Sequence, residues 1–443
     1  MKRFLLLLIL MLLLSLVLVA CGGDDAEEAA DAPTTEEEAE APEQEEEAEP
    51  EPEPTKVPVE ELMCDDAIGC VEVAPDDPIL LASALVISGP NIQLGVDSQR
   101  GVEIAMAFRP EVLGHPLELQ AEDDGCNAEG GQAAGQKIVS NPQVAAVIGT
   151  SCSGAAVPMS QIVSDAGYAM VSPSNTSVVL TDPNQAWNPG YLRTAHNDKI
   201  QGRAMAEFVY NELGLTKAAA IHDGDPYPEG LATVFSDVFQ ELGGEIVAFE
   251  AEDANATNVE PLLTTIAAAG PEIVYFPTFT SLSALITKTA KEIEGLQDVV
   301  VLASADGALS PDFLEAAGSA SEGMYHSGPD LSFENPIYDE FLVAYEDTYG
   351  EEPTAVFHAH SFDAANMILD AIEDVAQVGT DGTLLIGRQA LRDALYATAG
   401  FEGITGTLTC DQYGDCADAK ISVSQVRHAD FVPVWPVAAG EAT

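Results

Sequence analysis

Hydrophobic and polar positions alternate in blocks along most of the chain. Short apolar runs of strand length, such as residues 79–87 and 144–148, take turns with stretches of helical periodicity, such as 98–108 and 129–139. The alternation continues as far as the apolar run 299–302. Strands and helices in strict turn predict parallel sheets covered by helices. Two such sets in one chain predict an α/β fold with two similar doubly wound lobes.

The last third of the chain has a different pattern. Residues 336–349 and 359–376 have helical periodicity. Residues 405–410 and 420–426 alternate with period two around a turn at 411–415, which predicts a β-hairpin. Asp411 and Asp415 lie in this turn and Asp418 follows it. Their spacing lacks the terminal bidentate glutamate of a calcium loop, so we expect turn residues and no metal.

The N-terminus carries a targeting signal. Lys2 and Arg3 precede an apolar run that ends in small residues directly before Cys21. Residues 1–20 therefore resemble a bacterial lipoprotein signal peptide, which implies cleavage before Cys21 and lipidation of its thiol. An ordinary signal peptide or an uncleaved membrane anchor is the alternative. We predict an extracytoplasmic protein anchored to a membrane by lipid, in the periplasm or on the outer face.

Residues 21–61 follow as a segment rich in Glu, Ala and Pro. The segment contains almost no apolar bulk, so it cannot offset the entropy of folding. Charge repulsion and proline stiffness predict a disordered, extended tether. A cation-binding segment is the less favoured alternative.

The remaining chain has about 380 residues, a length that favours two lobes over a single hydrophobic core. The 443 residues include 74 acidic and 16 basic side chains, which gives a net charge of −58. A surface this acidic repels nucleic acid. The sequence contains no P-loop, no G-x-G-x-x-G after a strand and no complete G-x-S-x-G elbow. We therefore predict neither an enzyme nor a bound cofactor.

Seven cysteines divide into the predicted lipidation site and six others. Those six fall into neighbours along the chain, namely Cys64 with Cys70, Cys126 with Cys152, and Cys410 with Cys416. Outside the cytoplasm disulfides are the expected state. Zinc binding is the rival, although the C-x5-C spacing lacks the tight ligand pattern and no histidine lies nearby.

Several loops after predicted strands carry a recognisable series of residues. These are Ser88-Gly89-Pro90, Arg100-Gly101, Glu122 to Cys126, Ile148 to Gly154, Ser172 to Thr176, Leu192-Arg193-Thr194, His222-Asp223 and Tyr227 to Ala232. In order and spacing the series resembles the leucine/isoleucine/valine-binding proteins of branched-chain amino acid ABC importers. The resemblance runs from about Ile79 to about Val434 and implies the type I periplasmic binding protein fold, with a ligand cleft between hinged lobes.

The resemblance implies a binding frame for an α-amino acid. Ser153 and Thr176 would receive the ligand carboxylate, helped by Tyr227 of the second lobe. The carbonyl of Ser174 and the carboxylate of Asp306 would receive the ammonium. A serine at a helix N-terminus suits an anion because backbone N–H groups point at it. Simple helix caps, turns and packing are the alternative roles.

Some positions depart from the family pattern. Leu94 replaces an aromatic, Phe279 replaces a tyrosine, and Asp306 replaces a glutamate, while Phe357 keeps an aromatic of the side-chain pocket. We expect Leu94, Phe279 and Phe357 to line a side-chain pocket of altered shape. The sequence therefore predicts an amino acid ligand, branched-chain or with another apolar side chain.

The domain boundaries complete the sequence-based prediction. Residues 62–78 form a short disulfide-closed lead-in, 79–195 plus 329–405 the first lobe, and 196–328 plus 406–436 the second. The expected partners are a small-molecule ligand, an importer permease and the membrane, with no nucleic acid, and we expect a monomer. A ligand sensor on the same fold, or a binder of an amide, urea or aromatic acid, is the alternative function.

Overall fold

The computed structural model describes residues 62–297 and 300–436. The predicted signal peptide, Cys21 and the acidic segment lie outside the described residues. The described residues belong to one compact unit. Among the helices of the described part, none combines the length and the apolar character needed to cross a bilayer.

The strands of the described part are short. In chain order they are β1 (Cys70–Val73), β2 (Ile79–Leu85), β3 (Glu111–Val112), β4 (His115–Asp123), β5 (Val144–Gly149), β6 (Met170–Ser172), β7 (Tyr191–Arg193), β8 (Lys217–His222), β9 (Glu245–Ala251), β10 (Ile273–Tyr275), β11 (Val301–Ser304), β12 (Tyr325–Pro329), β13 (Gln377–Val378), β14 (Leu384–Gly387), β15 (Ala399–Gly403), β16 (Gly406–Thr409), β17 (Ile421–Arg427) and β18 (Asp430–Trp435).

Helices connect most of these strands. They are α1 (Ile92–Phe108), α2 (Ala128–Val139), α3 (Ser153–Asp165), α4 (Asp198–Glu207), α5 (Pro226–Glu241), α6 (Glu260–Ala269), α7 (Thr280–Ala290), α8 (Pro311–Ala317), α9 (Pro336–Tyr349), α10 (His358–Val375) and α11 (Arg388–Tyr396). A π-helical turn at Phe208–Glu212 extends α4, and short 3-10 turns lie at Val178–Thr181, Asp306–Ala308 and Gly318–Ser321.

Two twisted sheets organise the molecule. The first has the order β3-β4-β2-β5-β6-β7, and the second has the order β18-β17-β12-β11-β10-β8-β9. The inner strands of both sheets run parallel, whereas β3 pairs antiparallel with β4, and β17 pairs antiparallel with β12 and β18. The prediction of two doubly wound α/β lobes is therefore confirmed.

Buried strands and amphipathic helices form a separate core in each lobe. In the first lobe, Leu81 and Ile148 pack with Phe341 and Ile368 from α9 and α10. In the second lobe, side chains of β8 and β10 pack against α7, and those of α4 and α5 cover the other face. Burying a large apolar side chain contributes about 1.5–3 kcal/mol. These cores hold the strand ends that carry the site.

The chain crosses between the lobes three times. The crossings lie between β7 and α4, between β12 and α9, and between Cys416 and β17. The predicted second-lobe segment 406–436 is therefore wrong in its first part. Leu408 and Cys416 pack in the core of the first lobe, so the last crossing comes about ten residues later than the sequence indicates.

The predicted hairpin of residues 405–426 is also wrong. β16 pairs with β15, whereas β17 joins the second sheet between β12 and β18. The period-two pattern located strands correctly but could not identify their partners. The lead-in 62–78 likewise contains β1, which pairs antiparallel with β14.

All three neighbouring cysteine pairs are disulfides in the structure, namely Cys64–Cys70, Cys126–Cys152 and Cys410–Cys416. The second pair joins the loop after β4 to the N-terminus of α3, beside Ser153. The third closes the loop that carries Asp415. Two of the three disulfides therefore lie close to predicted site residues or to loops that hold them.

Candidate functional site: the cleft between the lobes

The candidate site lies where the carboxyl ends of parallel strands from both lobes face each other. Loops after β2, β5 and β6 contribute from the first lobe, and loops after β8, β10 and β11 contribute from the second. Open α/β sheets bind ligands at this edge because helix N-termini and unpaired loop groups converge there.

A chamber that is open to solvent lies in the cleft. Its lining includes seven of the eight predicted ligand residues, namely Leu94, Ser153, Ser174, Tyr227, Phe279, Asp306 and Phe357. The eighth, Thr176, is buried and does not belong to the lining. The sequence therefore predicted which side chains meet, while their roles toward a ligand stay predictions.

Ser153 starts α3 at the wall of the chamber. Cys152 before it is extended, so the chain turns into the helix at this serine. The Ser177 N–H donates to the Ser153 hydroxyl oxygen at 3.2 Å. Because a serine hydroxyl also carries one hydrogen, it can still donate to a ligand oxygen. The helix N-terminus adds positive potential. The Gly154 N–H faces Asp225, and the Ala155 and Ala156 N–H groups donate to the Cys152 carbonyl.

The loop that carries Thr176 is held in a fixed orientation by a buried arginine. Arg193 Nη1 donates to the carbonyl oxygens of Asn175 at 3.1 Å and of Ser177 at 2.8 Å. A peptide unit is planar and trans, so the Thr176 N–H points away from the Asn175 carbonyl. Within the described residues this N–H has no hydrogen-bond partner in the protein, so it can serve a ligand.

Arg193 is itself neutralised by the disulfide-closed loop near the C-terminus. Its Nε forms a charged hydrogen bond to Asp415, which also accepts from Thr181 at 3.0 Å and from Asn197 at 2.9 Å. Arg193 is fully buried. Burial opposes the charge of Asp415, but the Arg193 guanidinium lowers the pKa of that carboxyl below its usual value. The pair therefore stays ionised at neutral pH.

Asp306 supplies a carboxylate on the second-lobe side of the chamber. Its Oδ1 accepts from the Tyr227 hydroxyl at 2.9 Å and from Gln201 Nε2 at 2.6 Å. The other oxygen, Oδ2, accepts no protein hydrogen bond among the described residues. An ionised carboxylate has room for further donors. Asp306 can therefore receive a ligand cation without giving up its existing partners.

Tyr227 has a different set of partners from those the resemblance implies. Its hydroxyl donates to Asp306, and the Tyr227 hydroxyl oxygen accepts from the Gly307 N–H at 3.1 Å. A phenol has one hydrogen to donate. In this structure Tyr227 therefore orients Asp306, and donation to a ligand carboxylate would require its hydroxyl hydrogen to turn.

A second buried acid lies near Asp306. Burial, followed by the Asp306 charge, raises the pKa of Asp198 well above its usual value. Asp198 begins α4, and its N–H donates to the Thr176 carbonyl at 2.9 Å. Burial therefore favours the neutral form of Asp198.

The remaining wall of the chamber is apolar. The ring of Phe279 lies 5.3 Å from the ring of Tyr227, centroid to centroid. Phe357 is buried at the start of α10, where its N–H donates to Asp97 Oδ2 at 3.2 Å. Asp97 also accepts from three other backbone N–H groups of this segment, so this buried carboxylate fixes the position of the Phe357 ring.

The two lobes also contact each other directly beside the chamber. The Ser177 hydroxyl donates to the Pro226 carbonyl at 2.8 Å. Asp225 caps α5 by accepting from the Tyr227 N–H at 3.1 Å, and its carboxylate also faces the N–H of Gly154 in α3. Burial raises the pKa of Asp225 to about 6, although both N–H groups favour the charged form.

Sequence reasoning did not single out Gln201, Asp97 or Asp225. Each acts through a partner distant in the chain, so neither spacing nor periodicity could reveal the contact. One available signal was the Asp-Pro-Tyr-Pro series at 225–228, which is typical of a helix start with a carboxylate cap.

Comparisons with known proteins agree with this geometry. The family model described as periplasmic binding protein matches residues 78–430. A curated relative is the leucine-, isoleucine-, valine-, threonine- and alanine-binding protein of Pseudomonas aeruginosa. It is 27% identical over 353 residues, which cover 78% of this chain and 89% of that protein.

Solved structures show the same fold. A leucine-binding protein from Thermotoga maritima has a TM-score of 0.72 and 25% identity, and the match covers 80% of this chain and 97% of that one. An ABC transporter solute-binding protein from R. palustris, solved in complex with benzoate, has a TM-score of 0.68 and 20% identity. That match covers 81% of this chain and 95% of the other. The described strands and helices therefore follow a known two-lobed arrangement.

Proposed function

Because this chain belongs to the periplasmic binding protein family, we propose that it captures an α-amino acid between its lobes and delivers it to an ABC importer. Proteins of this kind bind solutes for transport and are not enzymes. Membership of this family implies that the protein is located outside the cytoplasm. The identity of the solute and the attachment to the membrane are the parts we propose.

One observation carries the choice of an α-amino acid. The chamber has hydroxyl and N–H donors at Ser153 on one lobe and the Asp306 carboxylate on the other. A ligand that spans them needs an anionic group and a cationic group at close separation. An α-amino acid has both on one carbon, and contacts with both lobes favour the closed arrangement.

The apolar wall of the chamber favours a ligand whose side chain has an apolar stem. Leu94, Phe279 and Phe357 line the chamber beside the polar groups. The curated relative binds leucine, isoleucine, valine, threonine and alanine, as its name says. We propose that the ligand is a branched-chain amino acid or another amino acid whose side chain has an apolar stem.

We also propose that lipid on Cys21 anchors the protein and that residues 21–61 tether it to the membrane. The predicted acceptor of the solute is the permease of the importer, and the predicted binding unit is a monomer. The apolar run before Cys21 supports the anchor.

Thermal unfolding of residues 58–443 against amino acids, amides and organic acids tests the function. At about 100 times its Kd, a ligand raises the unfolding free energy by about 2.7 kcal/mol, which shifts Tm by a few degrees. We expect such shifts with α-amino acids, and we expect Ser153→Ala and Asp306→Asn to remove most of them. Ser160→Ala is the matched control, since Ser160 lies on the same helix outside the chamber.

A specific alternative comes from the benzoate complex of the R. palustris protein, whose ligand is a carboxylate without an ammonium group. A shift with benzoate and none with α-amino acids would contradict our proposal. In that case Asp306→Asn would leave the shift intact, whereas Ser153→Ala would still remove it.

A further inference from the structure

The chamber does not end at its apolar wall. A second chamber, which is also open to solvent, shares Leu94, Asp306 and Gly307 with the first. It lies between the loop at the start of α1 in the first lobe and the 307–312 segment with Thr280 in the second. Because Asp306 lines both chambers, a ligand held by Asp306 lies next to the second one.

The lining of the second chamber combines polar and apolar residues. It is formed by Pro90, Asn91, Gln93, Leu94, Thr280, Asp306, Gly307, Leu309, Ser310, Asp312 and Ala355. Gln93 Oε1 accepts from the Thr354 hydroxyl at 2.8 Å, which leaves the amide hydrogens of Gln93 free. The Asp312 carboxylate has no hydrogen bond and no ion pair with another described residue. An aliphatic side chain would leave these polar groups unpaired when the cleft closes.

The charges of the cleft are also unbalanced. The two chambers together are lined by two carboxylates, Asp306 and Asp312, and by no lysine, arginine or histidine. A neutral α-amino acid brings one ammonium group, which Asp306 takes. Closure over such a ligand would leave the half-buried Asp312 without a counter-charge.

We propose that the ligand is a basic α-amino acid of the lysine type, whose side-chain cation lies in the second chamber beside Asp312. The methylene stem would lie along Leu94, Phe279 and Phe357, and only the terminal group would reach polar surroundings. The net charge of −58 favours the same class, because a negative surface raises the local concentration of cations. This inference rests on the proposed function and deepens it.

Lysine and norleucine provide a matched pair of ligands, since they share the amino acid group and most of the stem and differ in the terminal ammonium. Calorimetric titration of residues 58–443 should give lysine an affinity at least about tenfold higher than norleucine or leucine. Asp312→Asn should lower lysine affinity about tenfold and leave norleucine affinity unchanged.

Asp339→Asn is the control variant, because Asp339 also lies in the first turn of a helix, α9, but is exposed and outside both chambers. It should change neither affinity. Asp312 makes no hydrogen bond or ion pair with another described residue, and the unfolding temperature of Asp312→Asn shows whether the substitution destabilises the fold.

Two results would overturn the inference in distinguishable ways. Leucine or norleucine binding as tightly as lysine, with Asp312→Asn without effect, would overturn the basic ligand and keep the amino acid function. No binding of any α-amino acid would overturn both.

Discussion

At the scale of single residues, Gly154 sets how closely the lobes approach. A Cβ at this position would lie 1.8 Å from Asp225 Oδ2 across the cleft. We predict that Gly154→Ala lowers ligand affinity at least about tenfold, since the clash opposes the closed arrangement in which both lobes contact the ligand. Titration with the best ligand measures this.

A second substitution separates closure from folding. Asp225→Ala removes the carboxylate that the new methyl group would meet, so Gly154→Ala with Asp225→Ala should bind more tightly than Gly154→Ala alone. A double variant that binds no better would contradict an interlobe clash as the cause.

The sequence was most informative at this scale. Ser153, Ser174, Tyr227 and Asp306 were found because the series of loop residues resembles that of the binding family, and the loops lie after recognisable strands. Asp225 was missed because its second partner lies on the other lobe, and only the folded chain brings them together.

At the scale of elements, the loop closed by Cys410–Cys416 supports a ligand-binding loop that is far away in sequence. Asp415 neutralises Arg193, and Arg193 orients the peptide units on both sides of Thr176. We predict that Asp415→Asn lowers affinity for α-amino acids about tenfold or more, since the buried guanidinium loses its counter-charge and the loop loses its orientation.

Comparing two ligands distinguishes the positioning role of Asp415 from a general loss of stability. The loss should be larger for an amino acid than for its amide, because the Thr176 N–H is expected to face the ligand carboxylate. Asp418→Asn is the control, since Asp418 is a half-exposed carboxylate nearby that pairs with Lys420. Equal losses for both ligands, or none, would contradict the positioning role.

Periodicity located most elements but not their partners. Residues 336–349 form α9 with the predicted bounds, whereas α1 begins six residues before the predicted start at 98. The strands of the last third of the chain were assigned to one hairpin, yet they belong to separate sheets. Strand pairing over long separations depends on packing of the whole lobe, which local patterns do not contain.

At the scale of the whole molecule, buried acids and buried histidines act in opposite directions as the pH changes. Burial raises the pKa of Asp124 to about 7 and of Asp363 to about 6, and raises that of Asp198 well above its usual value. Between pH 8 and 6.5 the native state therefore takes up protons that the unfolded chain does not bind. Stability rises by about 1.4 kcal/mol per pH unit for each proton taken up.

Below about pH 6.5 the histidines oppose this gain. Burial lowers the pKa of His326 and His360 to about 3, so the unfolded chain protonates them first. We predict that Tm rises from pH 8 to 6.5 and then levels off, measured at constant ionic strength. Asp124→Asn should flatten the rise, and a Tm that falls from pH 8 to 6.5 would contradict the assignment.

The central claim is that the cleft recognises the carboxylate and the ammonium group of one α-amino acid, and ligand-dependent unfolding with stripped analogues tests it most directly. Norleucine and lysine are compared with hexanoate and 6-aminohexanoate, which lack the α-ammonium group, and with pentylamine and cadaverine, which lack the carboxylate. We predict a Tm shift of a few degrees with an amino acid and none with its analogues at equal concentration, since each analogue leaves one buried polar group unpaired. Equal shifts with an amino acid and either of its analogues would contradict recognition of both groups.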